Sequence, residues 1–164
     1  MIGPEYRLAS FVCCVMAFSI QLTGINAINL YATQIFQKII DESPSGSGIS
    51  PPLGGVLNVI AQVAGCIVSP FAAYFKFRTI LNGGFGVMSV AMFVVTLLAY
   101  KELNTILVGL IMVFGFVFQV TVGTYSWVYL GQVACDEGLS IATFFLWFGV
   151  FILTIWTNKM MEVL

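Results

Sequence analysis

All thirteen charged residues of this 164-residue chain fall into six short windows, and the sequence between those windows carries no charge. The windows hold Glu5 and Arg7; Lys38, Asp41 and Glu42; Lys76 and Arg78; Lys101 and Glu102; Asp136 and Glu137; and Lys159 and Glu162. Five uncharged runs lie between them, at 8–37, 49–75, 79–100, 103–135 and 138–158. Each is at least as long as the ~20 apolar residues that cross a ~30 Å hydrocarbon core. A buried helix of a soluble protein stops nearer 10–14 apolar residues, and a membrane β-barrel would alternate apolar and polar residues in segments of about ten. The expected fold is therefore an all-α integral membrane protein. It is read as a single helical bundle over 1–164, with about five spans at 8–37, 52–75, 79–100, 103–132 and 138–158. Composition agrees, because 60% of the residues are hydrophobic and 8% charged, against roughly 25% charged in soluble domains.

The same distribution excludes several functions. The net charge is −1, with no basic patch to engage nucleic acid. There is no histidine and no charged residue inside a span, so general acid–base or metal catalysis lacks its usual groups and no enzyme is expected. A proton relay through these spans is disfavoured for the same reason. Cys13, Cys14, Cys66 and Cys135 lack the spacing of a zinc site and read as free thiols; no metal or other cofactor is expected. The basic residues divide three against three across the membrane, so orientation is not encoded. The first run exceeds the 7–15 residues of a signal-peptide core and no small-residue cleavage site follows it, so that span is expected to be retained.

The longest connection, 41–52, is rich in Pro, Gly and Ser and reads as a surface loop. Other links are short, which makes consecutive helices antiparallel neighbours. The first run covers 30 residues, roughly 45 Å of helix at 1.5 Å per residue, longer than the membrane core is thick. A break is expected near Thr23-Gly24, where polar side chains cluster. At 100° per residue Asn26, Asn29 and Thr33 share a face, and a kink at Gly24 swings Gln21 toward it. Such a stripe makes either interhelical hydrogen bonds or the wall of a substrate cavity built on a discontinuous helix. Gly54, Gly55, Gly83, Gly84 and Gly86 are read as close-packing positions between helices.

The run I-Q-L-T-G-I-N-A-I-N-L-Y-A-T-Q-I-F beginning at Ile20 resembles the seventh helix of the sugar porter family of the major facilitator superfamily, whose pattern is Q-Q-x-[ST]-G-x-N followed by aromatics. G-V-L-N-V at 55–59 resembles the start of the eighth helix, and F-Q-V-T-V-G-T-Y-S-W-V-Y-L-G-Q-V at 118–133 the tenth. Trp147 falls where the eleventh carries a Trp. The resemblance thus covers helices seven to eleven and implies a truncated, degenerate carboxy-terminal half of a major facilitator fold. In that family this half supplies most hydrogen bonds to the sugar, through amides that both donate and accept. Carried over by position, the resemblance implies substrate-binding roles, retained or vestigial, for Gln21, Asn26, Asn58, Gln119, Trp127 and Trp147. Gln119 stands where many members have a Glu. Ile20 replaces the family's first glutamine, and Leu146 an Asn often found before the eleventh-helix Trp.

Larger departures fall at the gate. The family carries a charged signature, roughly [DE]-R-x-G-R-R, after the eighth helix, and a Glu with a later Arg after the tenth. Here Ala73 replaces the acid, Tyr74 an Arg, Lys76 the Gly and Phe77 another Arg, leaving Arg78. Gln132 replaces the Glu and Leu139 the Arg, and the usual prolines of the tenth helix are missing. The resemblance therefore implies a dismantled ion-pair lock. It also implies that the chain lacks the first six-helix half and a twelfth helix, while alternating access in this superfamily rocks two halves against each other.

The resulting expectation is a transporter-derived, non-transporting structural subunit of a larger membrane complex, in an organelle inner membrane such as the mitochondrial one. The alternative is a half-size hexose transporter at the plasma membrane, acting with a partner half or as a homo-oligomer. Expected partners are other membrane subunits, lipids and a sugar. Polar side chains are costly in hydrocarbon unless covered, so the face bearing Asn26, Asn58 and Gln119 is expected to meet protein or lipid.

Overall fold

The computed structural model describes residues 7–41, 50–100 and 104–163; most of the Pro/Gly/Ser-rich connection after the first span lies outside them. In chain order the elements are α1 (Arg7–Gln21), α2 (Ile25–Asp41), α3 (Pro51–Ala72), α4 (Phe77–Tyr100), α5 (Asn104–Phe118), a five-residue π-helical turn (Gln119–Gly123), α6 (Thr124–Val133) and α7 (Asp136–Val163). Among the described residues there are five helical segments long and apolar enough to cross a membrane: Arg7–Gln37, Pro51–Ala72, Phe77–Leu98, Ile106–Val133 and Asp136–Lys159. The spans end where the charges are. Among the described residues the fold is all-α, consistent with part of a major facilitator fold.

Helix ends follow local chemistry. Pro51 and Pro52 open α3 behind Ser50, where a missing backbone N–H leaves no hydrogen bond unmade. Near its other end Pro70 sits inside the helix, and the Ala73 N–H bonds back to the Pro70 carbonyl as the chain turns away. Asp136 and Glu137 occupy the first turn of α7, where negative charge is favoured by the helix dipole.

The chain divides into two compact units, Met1–Leu30 with Tyr125–Leu164, and Tyr31–Thr124. In the first, α1 packs on α7. A side chain at Gly138 would meet Ser10, and one at Gly149 would meet Phe18 and Gln21. The contact pairs Ser10 with Gly138 and Gln21 with Gly149 advance together along both helices, so these two odd-numbered spans run parallel. Between them lies an apolar core of Cys13, Ala17, Leu130, Ala142 and Leu146.

In the second unit α3 packs against α5 and the π turn, and α4 packs against both as well. Backbone meets backbone at Gly65, where an added Cβ would lie 2.7 Å from the Phe116 carbonyl oxygen. At Gly84 it would lie 2.5 Å from Thr121 Oγ1, and at Gly54 2.8 Å from the Phe36 ring. Gly54 and Gly84 thus serve as packing positions, and Gly55 makes an ordinary contact with Thr33. Gly83 and Gly86 do not, because among the described residues no neighbouring helix comes within 4 Å of where a Cβ of either would stand. A doublet of glycines cannot pack equally, since consecutive residues on a helix point 100° apart.

Candidate functional site

The first span breaks where the glycine demands it. At the end of α1 the N–H groups of Leu22, Thr23 and Gly24 bond to the carbonyls of Ser19, Ile20 and Gln21 in a tightened last turn. Gly24 then takes a φ of 78°, a left-handed conformation that glycine adopts without a Cβ clash. The chain restarts as α2, with the Ile28 N–H bonded to the Gly24 carbonyl. Thr23 Oγ1 also donates to the Ile20 carbonyl at 2.7 Å, adding a side-chain bond to an acceptor that the Thr23 N–H already uses.

Across this break the Asn26 side-chain amide donates to Gln21 Oε1. Gln21 is only 1% exposed although it is a polar residue inside a span. Gly149 makes room for it, since a Cβ there would sit 2.9 Å from Gln21 Cγ. The swing of Gln21 toward Asn26 expected from the sequence is therefore made. Trp127 and Trp147 in the same unit are 48% and 64% exposed. Leu146 beside Trp147 points the other way, into the apolar core, so the position where the family often carries Asn is here a core position. Ser126, next to Trp127, is fully buried and its hydroxyl has no hydrogen-bond partner among the described residues.

The second unit holds Asn58 and Gln119. Asn58 is 1% exposed and lies inside the protein rather than on an outer face. A Cβ on Gly115 would come within 3.0 Å of Asn58 Oδ1 and 3.1 Å of Gln62 Cγ. These two amides, one helical turn apart on α3, therefore converge over the bare backbone of α5. Gln119 opens the π turn. Its carbonyl accepts a bond from Thr124 Oγ1 at 2.8 Å, and its Nε2 donates to Cys66 Sγ at 2.9 Å. Thr121 Oγ1 donates to the Val117 carbonyl at 2.7 Å. The two threonine hydroxyls thus serve carbonyls in and just before the widened turn, where the regular ladder is interrupted.

Gln62 and the π turn were not singled out from sequence, and Cys66 was read there only as a free thiol. Gln62 follows Asn58 by four residues and is legible as its helical neighbour. The π turn has no such signature, because Q-V-T-V-G is compatible with an ordinary helix.

The positions that the resemblance assigns to the gate carry little polarity. Ala73 caps α3 and is exposed, Phe77 begins α4 half-buried, and Arg78 is exposed. Gln132 is exposed, while Leu139 packs against the apolar core of the first unit. No group of three or more His, Cys, Asp or Glu among the described residues can hold a metal ion.

Comparison with known proteins gives one family. Residues 1–164 match the profile of the sugar (and other) transporter family. An arabinose-proton symporter of Bacillus subtilis is 27% identical over 150 residues, which cover 88% of this chain and 32% of that protein. Solute carrier family 2, facilitated glucose transporter member 3 is 30% identical over 127 residues in Ovis aries, covering 76% of this chain and 25% of that protein. The Homo sapiens form is 30% identical over 125 residues, covering 75% and 25%. The matched region spans about a quarter to a third of these relatives. No solved structure matches significantly.

Proposed function

Because this chain belongs to the sugar transporter family, we propose that it supplies monosaccharide contacts to a transport pathway. The first unit does so through Gln21, Asn26, Trp127 and Trp147, and the second through Asn58 and Gln119. The observation that carries this reading is the Gln21–Asn26 amide pair held at the Gly24 break. Discontinuous membrane helices commonly line substrate sites, and a carboxamide both donates and accepts, as a polyol requires. The named relatives are an arabinose and a glucose transporter, which supports a pentose or hexose as the substrate class.

This chain itself supplies no proton relay to that pathway, since its carboxylates stand at span ends or in connections and none is set in mid-membrane. In proteoliposomes, uptake of radiolabelled glucose or arabinose is expected to saturate. Asn26→Ala should lower it severalfold. Uptake that is absent, or unchanged by Asn26→Ala, would overturn the reading.

A second reading is a non-transporting structural subunit of a larger membrane assembly, in an organelle inner membrane rather than the plasma membrane. It is favoured by Leu139, which packs into the apolar core where the family carries an arginine, and by the uncharged Ala73, Phe77 and Gln132. Mild-detergent extraction followed by native mass spectrometry separates the two, because a structural subunit runs in a much larger particle that takes up no sugar.

A further inference from the structure

Gln119 is held at both ends of its side chain and at its backbone, by residues to which no role has been assigned. Its Nε2 donates to Cys66 Sγ at 2.9 Å. Its Cβ sits in a notch at Gly65, 3.0 Å from where a Cβ of that residue would lie. Its Oε1 lies 3.0 Å from where a Cβ of Gly123 would stand. Its carbonyl, within the π turn, accepts from Thr124 Oγ1 at 2.8 Å. A glutamine side chain has three free torsions and loses rotamer freedom when fixed. Fixing it before a ligand arrives removes that cost from binding.

We propose that Cys66 is a positioning residue for sugar recognition: its sulfur holds the Gln119 carboxamide in the orientation that meets a sugar hydroxyl, with Gly123 leaving space for the amide oxygen. The thiol takes one N–H of the amide and leaves the other N–H and the carbonyl lone pairs to the ligand. Sulfur is a weak acceptor, so the bond fixes direction without neutralising the group. Cys66 itself touches no sugar. The inference rests on the reading that Gln119 contacts the substrate, and its test separates the two.

The test measures equilibrium binding of glucose and a panel of monodeoxyglucoses to the purified full chain in detergent. In the native protein, removal of the hydroxyl that Gln119 recognises weakens binding, and Gln119→Ala abolishes that particular penalty. Cys66→Ala is expected to reduce the same penalty by about threefold or more, on the scale of one neutral hydrogen bond, and to leave the penalties at other hydroxyls unchanged. Cys66→Ser, which keeps an acceptor, should restore it. Gly123→Ala, which fills the space beside Oε1, should reduce the penalty without touching Cys66 and serves if Cys66→Ala does not fold. Loosened packing alone would weaken all sugars equally. If Gln119→Ala erases the hydroxyl-specific penalty while Cys66→Ala and Gly123→Ala both leave it intact, the positioning role is refuted and the site stands. If Gln119→Ala itself leaves every penalty intact, the reading of Gln119 as a sugar contact fails, and this inference with it.

Discussion

At Gly24 the backbone enters the left-handed region, with a φ of 78°, and this one torsion decides where two amides meet. A β-carbon there costs about 1–2 kcal/mol, so Gly24→Ala should lower the thermal stability of the detergent-solubilised protein and weaken sugar binding together. The Gln21–Asn26 bond is a separate term. Hydrogen bonds between membrane side chains average ~0.6 kcal/mol, and a double-mutant cycle of Gln21→Ala and Asn26→Ala on stability should return a coupling of about that size. A coupling near zero would mean that the pair does not form. Much at this scale was legible in the sequence: the Gly24 break and the approach of Gln21 to Asn26 follow from an overlong uncharged run with amides around one glycine. The Cys66–Gln119 contact was not legible, because two residues 53 positions apart are joined only by the packing of their helices.

Elements in this chain are limited by charge and shaped by close approach. The six charged windows predicted the five spans, since ionised groups cannot rest in hydrocarbon and each run between them is long enough to cross. Which face of each helix would pack was harder to read, because Gly83 and Gly84 are identical in sequence yet only the second is occupied. In a span that is apolar on every side, hydrophobic periodicity carries no phase. Stability should expose the difference. Gly84→Ala and Gly65→Ala force a side chain against Thr121 and against the Phe116 carbonyl, and overpacking of this kind costs about 1–3 kcal/mol. Gly83→Ala should be neutral or slightly stabilising, as glycine is about 1 kcal/mol poorer than alanine within a helix. Thermal melts of the three variants check this; equal effects at positions 83 and 84 would contradict the packing described. The π turn escaped the sequence for a related reason. It is widened where Gln119 and Thr121 fit against Gly65 and Gly84, and those partners lie on other helices.

For the molecule as a whole, the resemblance implies separate positions for sugar contact and for switching access, and this sequence fills the two sets differently. The amides persist, whereas the positions that the resemblance assigns to the gate are occupied by Ala73, Phe77, Gln132 and Leu139. Coulombic locks weaken with added salt and apolar contacts do not. Uptake by a protein with this gate should accordingly vary little between 0.05 and 0.5 M salt, on the order of a Debye length change from ~14 to ~4 Å; a steep salt dependence would point to an ion pair elsewhere in the pathway. The glycine notches have one more consequence, for how such a sequence can drift. Positions such as Val63, Ile67 and Phe71 of α3, which are widely exposed, can exchange among apolar residues of almost any shape. Gly65 on the same helix can accept no heavy atom at all. Natural variation along α3 should therefore be lopsided, free around most of its circumference and frozen along the single line that faces the Phe116 carbonyl.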